Sequence, residues 1–361
     1  MSKPPRSTPP RSLVSPRSVT IKDLAAELEL SITTISRALN GYSDVGDKTR
    51  QRVSEAAERL GYRPNRNAQR LVTRRTHNIA WVQPDDERKF LDPHFVEVMS
   101  GVLRGARAGN YDLVMTSDTP EREIAVYDRY VNDNSVDGFI LDLPRDEDRR
   151  ITYLLEKDRP FVVHGREARS DSYGWVDVDN WGNFYRLIRL LYTNGHRRFA
   201  FVNGDEHFNY ALHRRHGVLA ALGDLGLGPD HITIVNAVFP MGDAGYQLTE
   251  KVLQDRRVTA ILYSSVLMAV EGHAAIVAHA RGREIAIATM NDELHYLDLR
   301  PFAGRFTEVR SSLSAAGIAL MEELMRQCDS GLPGRGTLIQ SQIAVATGLD
   351  AASLDAPLPR H

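Results

Sequence analysis

Residues 31–40, SITTISRALN, gather side chains suited to reading a surface by hydrogen bonds rather than to making or breaking covalent bonds. At helical spacing, Ile32, Thr33, Thr34, Ser36, Arg37 and Asn40 fall on one face, and Ile35, Ala38 and Leu39 fall on the other. A guanidinium such as Arg37 donates bidentately to guanine O6 and N7, whereas Ile32 and Thr33 offer apolar and hydroxyl contacts, including to a thymine methyl. Thr34, Asn40 and, further on, Thr49 suit phosphate oxygens. A small helical bundle with an incidental polar face would have the same composition, so the neighbouring elements must decide.

Catalytic patterns are absent from the sequence. No G-x-G-x-x-G or P-loop follows an early strand, and there is no G-x-S-x-G elbow or His/Glu metal motif at helical spacing. His213 and His216 straddle two arginines without a carboxylate partner, a pattern of surfaces more than of metal sites. The single cysteine, Cys328, excludes an internal disulfide framework and any Cys-rich zinc site. Binding is therefore expected in place of catalysis, with no cofactor and no metal.

Three short helical patterns must position residues 31–40. Thr20 followed by Asp23 is an acidic capping box, and Leu24, Ala25 and Leu28 form the apolar face behind it. Ser31 caps the second helix only two residues later, and so tight a link makes the pair cross steeply, as in a helix-turn-helix. Asp47 is expected to cap a third helix with Val53, Ala56, Ala57 and Leu60 inward, and Gly61 to end it. Residues 64–76 are basic and poor in apolar side chains. On spacing alone they fit a plain linker, or a short helix that folds only beside DNA and a second copy, with Ala68 and Leu71 on one face and Leu71 as a minor-groove wedge. Residues 1–18, rich in Pro, Ser and Arg, are expected to be a disordered basic arm.

Charge separates this head from the rest. Residues 1–76 carry 15 Lys/Arg against 7 Asp/Glu, and the remainder carries 30 against 40, so a basic head precedes an acidic body. Only the head is electrostatically suited to a polyanion. No run has the apolar length of a membrane span and the N-terminus has no signal-peptide core, so a cytoplasmic protein is expected. With 361 residues, 42% hydrophobic and 25% charged, the chain has material for two or three domains.

From residue 78 onward, short β-rich runs (79–83, 112–115, 138–141, 161–164, 175–178) alternate with helical stretches (95–108, 121–132). A second cycle follows through strands 199–202, 232–235 and 260–263 and helices 183–194, 214–225 and 246–253. Such alternation predicts parallel sheets covered by helices, and the length predicts two similar lobes with a ligand crevice at the carboxyl ends of the strands. An amphipathic helix over 314–328 should end at Gly331. The tail lacks a leucine heptad, so a dimer and nothing larger is expected.

The segments VTIKDLA, LSITTISRALNG, KTRQRV and LGYRPNRNAQRL, in this order and spacing, resemble the DNA-binding head of the LacI/GalR family of bacterial transcriptional regulators. Val45-Gly46 stands where many relatives have Ser or Pro after the Val, which removes one possible hydroxyl–phosphate contact. More loosely, GNYDLVM, VDGFIL, VDVDNWGNFYRLIRLLYTNGHRRFAFVNGD and RRHGVLAAL resemble the family's sensor. The resemblance implies an α-helical helix-turn-helix head (19–63), a hinge helix (64–76) and an α/β periplasmic-binding-protein-like sensor of two doubly wound lobes (77–350), followed by a tail (351–361). It implies Ile32, Thr33 and Arg37 as base readers and Leu71 as the leucine inserted at the operator centre. Thr20, Thr34, Ser36, Asn40, Thr49, Asn65 and Ala68 complete the DNA-facing set.

In the sensor the resemblance implies effector contacts at His94, Phe95, Arg166, Arg214, Phe239, Ser265, Asn291 and Asp292. Arg214 matches an arginine that holds ligand hydroxyls or a carboxylate. Asn291 stands where an Asp commonly bonds sugar hydroxyls, and Ser265 replaces a frequent Asn or Asp. From their own sequence surroundings Phe95 and Phe239 read as core, and Arg214 as a helix-surface charge. The implied function is a homodimeric, operator-binding repressor of near-palindromic double-stranded DNA, controlled by a small effector. A sugar is the first expectation and a nucleobase or nucleoside the second. From a different class, a solute-binding or sugar-acting protein with an accessory helical head is the alternative.

Overall fold

The computed structural model describes residues 19–39, 42–62, 75–167, 170–355 and 358. They form two compact units, Met1–Thr76 and His77–His361.

In the first unit, helix α1 (Ile21–Leu28) opens on the predicted capping box. The Thr20 hydroxyl accepts from Asp23 N at 3.4 Å, and the Asp23 carboxylate accepts from Thr20 N at 2.7 Å. Glu29 ends the helix in the left-handed conformation (φ 55°), so that α2 (Ile32–Leu39) starts within three residues. Ser31 Oγ accepts from Thr34 N at 3.0 Å, which caps α2 as expected. The expected Asp47 cap is corrected. Gly46 is the N-cap of α3 (Asp47–Leu60) and no side chain caps it. Asp47 instead lies in the first turn, where a carboxylate favours the exposed N–H groups, and it pairs with Arg50 at 2.9 Å. Gly61 ends α3 with φ 67°, a conformation that a Cβ disfavours. Among the described residues of this unit, Leu24, Ile35, Ala38, Val45, Val53, Ala56 and Ala57 are buried together as a core.

The second unit contains two six-stranded sheets. Strands β1 (Asn78–Pro84), β2 (Asp112–Asp118), β3 (Gly138–Asp142), β4 (Phe161–His164), β5 (Gly174–Val178) and β11 (Gly336–Ile339) form the first, in the order β11-β5-β4-β3-β1-β2, all parallel. Strands β6 (Phe199–Asn203), β7 (Ile232–Asn236), β8 (Ala260–Tyr263), β9 (Ala286–Asn291), β10 (Phe306–Arg310) and β12 (Gln342–Ala344) form the second, in the order β12-β10-β9-β8-β6-β7, with β12 antiparallel. Helices α4 (Pro93–Ala108), α5 (Glu123–Asp133) and α6 (Arg149–Glu156) belong to the first lobe, and α7 (Asn180–Thr193), α8 (Asn209–Asp224), α9 (Ala244–Val252) and α10 (Val266–His279) to the second. Each sheet is buried on both faces, which is why its strands read as continuous apolar runs.

The chain crosses between the lobes at β5–α7, at β10–α11 and at β11–β12. Helix α11 (Leu313–Ser330) returns to pack on α4 in the first lobe and ends at Gly331 (φ 64°). The contact is close because glycines line it: a Cβ on Gly101 would lie 2.1 Å from the Ser314 carbonyl oxygen, and one on Gly317 would lie 2.2 Å from that of Val98. Helices α6 and α10 and strands β9–β12 have no counterpart in the sequence reading. The α10 sequence, VLMAVEGHAAIVAH, is apolar on nearly every side and so carries no periodic stripe.

Candidate functional site

The DNA-reading candidates can be placed individually. In α2, Ile35 and Ala38 point inward, while Ile32, Thr33 and Arg37 are exposed, and Thr34 and Ser36 are half-buried. Ile32 is 45% exposed, a large apolar side chain left in solvent on a helix that has an apolar core to bury into. Arg37 pairs with Asp44 at 2.7 Å and lies 5.6 Å from the Tyr42 ring. That pair is half-exposed and worth little in water, so it presents the guanidinium without locking it. Thr20 holds its capping bonds, and Thr49 is half-buried at the start of α3. Asn40, Asn65, Ala68 and Leu71 lie outside the described residues.

In the second unit the two sheets direct their carboxyl ends at each other. The residues at those ends, from Pro84, Asp118, Asp142, His164, Asp177 and Val178 on one side to Asp205, Ser264, Ser265, Asp292 and Ser311 on the other, line a cavity of about 650 Å³. This is where ligands of doubly wound sheets bind, and its volume is that of a small-molecule site.

Arg214, on α8, is the central cation. It is 7% exposed, donates from Nε to Asn180 Oδ1 at 2.7 Å and from Nη1 to the Ser264 carbonyl at 2.5 Å, and lies over Phe184 and Tyr210 at 5.3 and 5.0 Å. Burial lowers its proton affinity, against the carboxylates of Asp292 and Asp177 and the Tyr210 phenol, which raise it. His94, at the start of α4, bridges the lobes. Its Nδ1 is 2.9 Å from Asp92 Oδ1, and its Nε2 is 3.2 Å from Ser265 Oγ and 3.5 Å from Asp292 Oδ2. Burial works against its protonation, but Asp92 and Asp292 outweigh it, and the imidazole stays protonated above its ordinary range. Further inter-lobe bonds run from Asn209 N to the Pro144 carbonyl (3.1 Å) and from His295 Nδ1 to Glu97 Oε2 (3.0 Å). The lobes are thus joined across the cleft on more than one side.

Of the eight expected effector residues, His94, Arg214, Phe239, Ser265 and Asp292 line the cavity. Phe239 has the Arg88 guanidinium 5.2 Å from its ring centroid. Three residues lie off the wall. Phe95 is a core residue against Trp81, with ring centroids 5.1 Å apart, because one helical step from His94 turns its side chain inward. Asn291, the last residue of β9, is buried and donates to Glu308 Oε2 at 3.1 Å, whereas the next residue, Asp292, lines the cavity. Arg166 stacks over Trp175 at 4.9 Å and reaches Asp177 Oδ2 at 3.3 Å, so it acts on the wall through that carboxylate.

Several wall residues had not been singled out in the sequence. Asp142 accepts from Trp81 Nε1 (3.1 Å), Gln83 Nε2 (3.3 Å) and Lys89 Nζ (2.5 Å). Burial pushes its carboxyl up, but the Lys89 ammonium, Arg150 and these bonds hold it down at about 2. Asp177 accepts from Val178 N (2.8 Å) and Asn180 Nδ2 (2.9 Å), yet burial dominates and pushes it up to about 6. Burial also lowers the proton affinity of the His164 imidazole. The available signal is a polar residue at or next to the end of a buried strand: GFILD and FVVH end on one, WVDV carries Asp177 one residue before its end, and only the ends of parallel strands converge on a crevice. No group of His, Cys, Asp and Glu among the described residues is arranged to hold a metal ion. None of the described helices is long and apolar enough to cross a membrane.

The family model described as "Bacterial regulatory proteins, lacI family" matches residues 20–65. Over 350 residues the chain is 36% identical to the HTH-type transcriptional regulator AglR of Rhizobium meliloti (strain 1021), covering 94% of this chain and 97% of that one. It is 34% identical over 228 residues to the HTH-type transcriptional regulator RafR of Escherichia coli, covering 63% and 67% of the two. Among solved structures, the lac repressor dimer bound to operator and the anti-inducer ONPF superposes with a TM-score of 0.71 at 19% identity, covering 91% of this chain and all of that one. The transcriptional regulator CelR–cellobiose complex superposes at 0.63 and 23% identity, over 91% and 98%. These two likenesses concern the fold, whereas the AglR match covers 94% of this chain at 36% identity. The chain belongs to the LacI family and is a DNA-binding transcriptional regulator.

Proposed function

We propose that this protein is a cytoplasmic, homodimeric repressor whose head reads a near-palindromic operator and whose sensor takes a small polyhydroxylated effector, a sugar, with no catalytic step. The observation that carries the sensor half is the cavity at the strand ends, where carboxylates, Arg214 and Ser265 alternate with the rings of Phe208, Tyr210 and Phe239. Carboxylates accept hydroxyl protons, a guanidinium donates to hydroxyl oxygens, and rings cover the apolar face of a pyranose. That CelR was solved with cellobiose supports the same reading.

For the head, Ile32, Thr33 and Arg37 read bases, Thr20, Thr34, Ser36, Asn40 and Thr49 meet the backbone, and Asn65, Ala68 and Leu71 act in the hinge. In the body, His94, Arg214, Phe239, Ser265 and Asp292 contact effector directly, and Phe95, Arg166 and Asn291 support them from behind. An effector that binds one arrangement of the lobes better than another shifts the population of DNA-competent dimer by that difference in affinity. The test is a thermal-shift screen of the full chain against sugars, nucleobases and nucleosides, followed by operator binding with each hit. A saccharide that raises Tm and changes operator affinity supports the reading. A nucleobase or nucleoside hit, or saccharide turnover, replaces it.

A further inference from the structure

The wall of the cavity has an uneven charge balance. Among the described residues it carries eleven Asp/Glu side chains against six Lys/Arg and His94, whose imidazole Asp92 and Asp292 keep protonated above its ordinary range. Two of the deep cations are neutralised within the protein: Lys89 sits on Asp142 at 2.5 Å and Arg150 on Asp148 at 2.7 Å. Arg88 is held by Asp86 at 2.8 Å, and Arg145 and Arg149 are exposed at the rim. Arg214 remains as the buried guanidinium without a carboxylate in direct contact. Two of its nitrogens are taken by Asn180 and Ser264, Asn180 donates in turn to Asp177 at 2.9 Å, and Asp177 and Asp292 line the same wall as Arg214 and favour its charge. Asp177 and Asp292 are themselves buried, at 6% and 7% exposure, with Arg166 Nε 3.3 Å from the first and His94 Nε2 3.5 Å from the second, and water screens them poorly.

A phosphate monoester would bring close to two negative charges into this setting, at the cost of its own hydration and against two buried carboxylates. A hydroxyl has the opposite relation to the same groups, since it donates to a carboxylate and accepts from Arg214. We infer that Asp177 and Asp292, set about Arg214, make the sensor selective for uncharged saccharides over their phosphate esters. The selectivity rests on the saccharide reading proposed above and adds that the effector is the unphosphorylated sugar. The two carboxylates act by repelling the wrong ligand as well as by holding the right one.

The test measures Kd by calorimetry on the full chain with matched pairs: glucose and glucose 6-phosphate, trehalose and trehalose 6-phosphate, sucrose and sucrose 6-phosphate. The expected result is binding of at least one uncharged member, with its ester at least tenfold weaker. In Asp177→Asn and Asp292→Asn, ester affinity should rise at least threefold, a gain that misfolding cannot produce. Ester binding within threefold of its parent in the unaltered protein, or no gain in either variant, would overturn the selectivity and leave the saccharide reading standing. If no member of either kind binds, the saccharide reading fails and the selectivity with it.

Discussion

Replacing Asp177 by Asn should stabilise the protein at neutral pH. The carboxyl is 6% exposed, and burial moves it from an ordinary 3.8 to about 6. At roughly 1.36 kcal/mol per pH unit, keeping it ionised in the folded state costs about 3 kcal/mol. The amide keeps the bonds from Val178 N and Asn180 Nδ2 through its oxygen but loses the 3.3 Å contact with Arg166 Nε. Arg166 is 24% exposed at its side chain and stacked on Trp175, so it can turn to water and recover part of that loss. The net gain should be about 1–2 kcal/mol, a rise in Tm of roughly 2–4 °C for a unit of this size. Its pH dependence is the diagnostic. A raised folded pKa places the penalty above about 6, and the penalty fades as pH falls toward 3.8, where both states are protonated. Scanning calorimetry of both proteins between pH 4.5 and 8 should therefore show curves that separate above pH 6 and converge below it. A loss of stability at pH 7.5, or a difference that does not vary with pH, would refute the reasoning. A stabilising substitution at the wall of a binding cavity is what a group retained for function would give.

Three further outcomes follow from the same structure. His94→Gln should flatten the pH dependence of Tm: the raised imidazole stabilises the closed lobes fully below about 6.5 and loses that contribution as pH rises through its folded value, so the unaltered protein should lose stability there and the variant should not. Ile35→Ala, at a fully buried position of the small head, should cost about 2–5 kcal/mol and abolish operator binding while the Tm of the sensor is unchanged, as calorimetry and anisotropy would show. Arg37→Ala should relax discrimination at one operator position by about 1–3 kcal/mol across a set of singly substituted operators; a uniform loss across the set would reassign Arg37 to phosphate.

Local chemistry made the head legible in the sequence. Thr20 with Asp23, Ser31 with Thr34, and Gly61 are caps whose partners lie within a few residues, so spacing alone located three helix ends. The Asp47 error is of the same local kind: a carboxylate in the first turn and one at the cap look alike in sequence, and only backbone geometry separates them. Strand–helix alternation likewise announced two parallel-sheet lobes, because buried strands must be apolar. The content of the cavity was not local. His94 and Phe95 are adjacent in sequence, as are Asn291 and Asp292, yet in each pair one residue faces the cleft and the other is turned into the protein. A helix turns about 100° per residue and a strand 180°, so a one-residue ambiguity that leaves an element intact reverses which side chain meets a ligand. The sequence determined that there are two sheets and where their strands run. Only the tertiary structure decided that Asp142, Asp177 and Asp292, each at or beside the end of a different strand, would line one crevice together with Arg214.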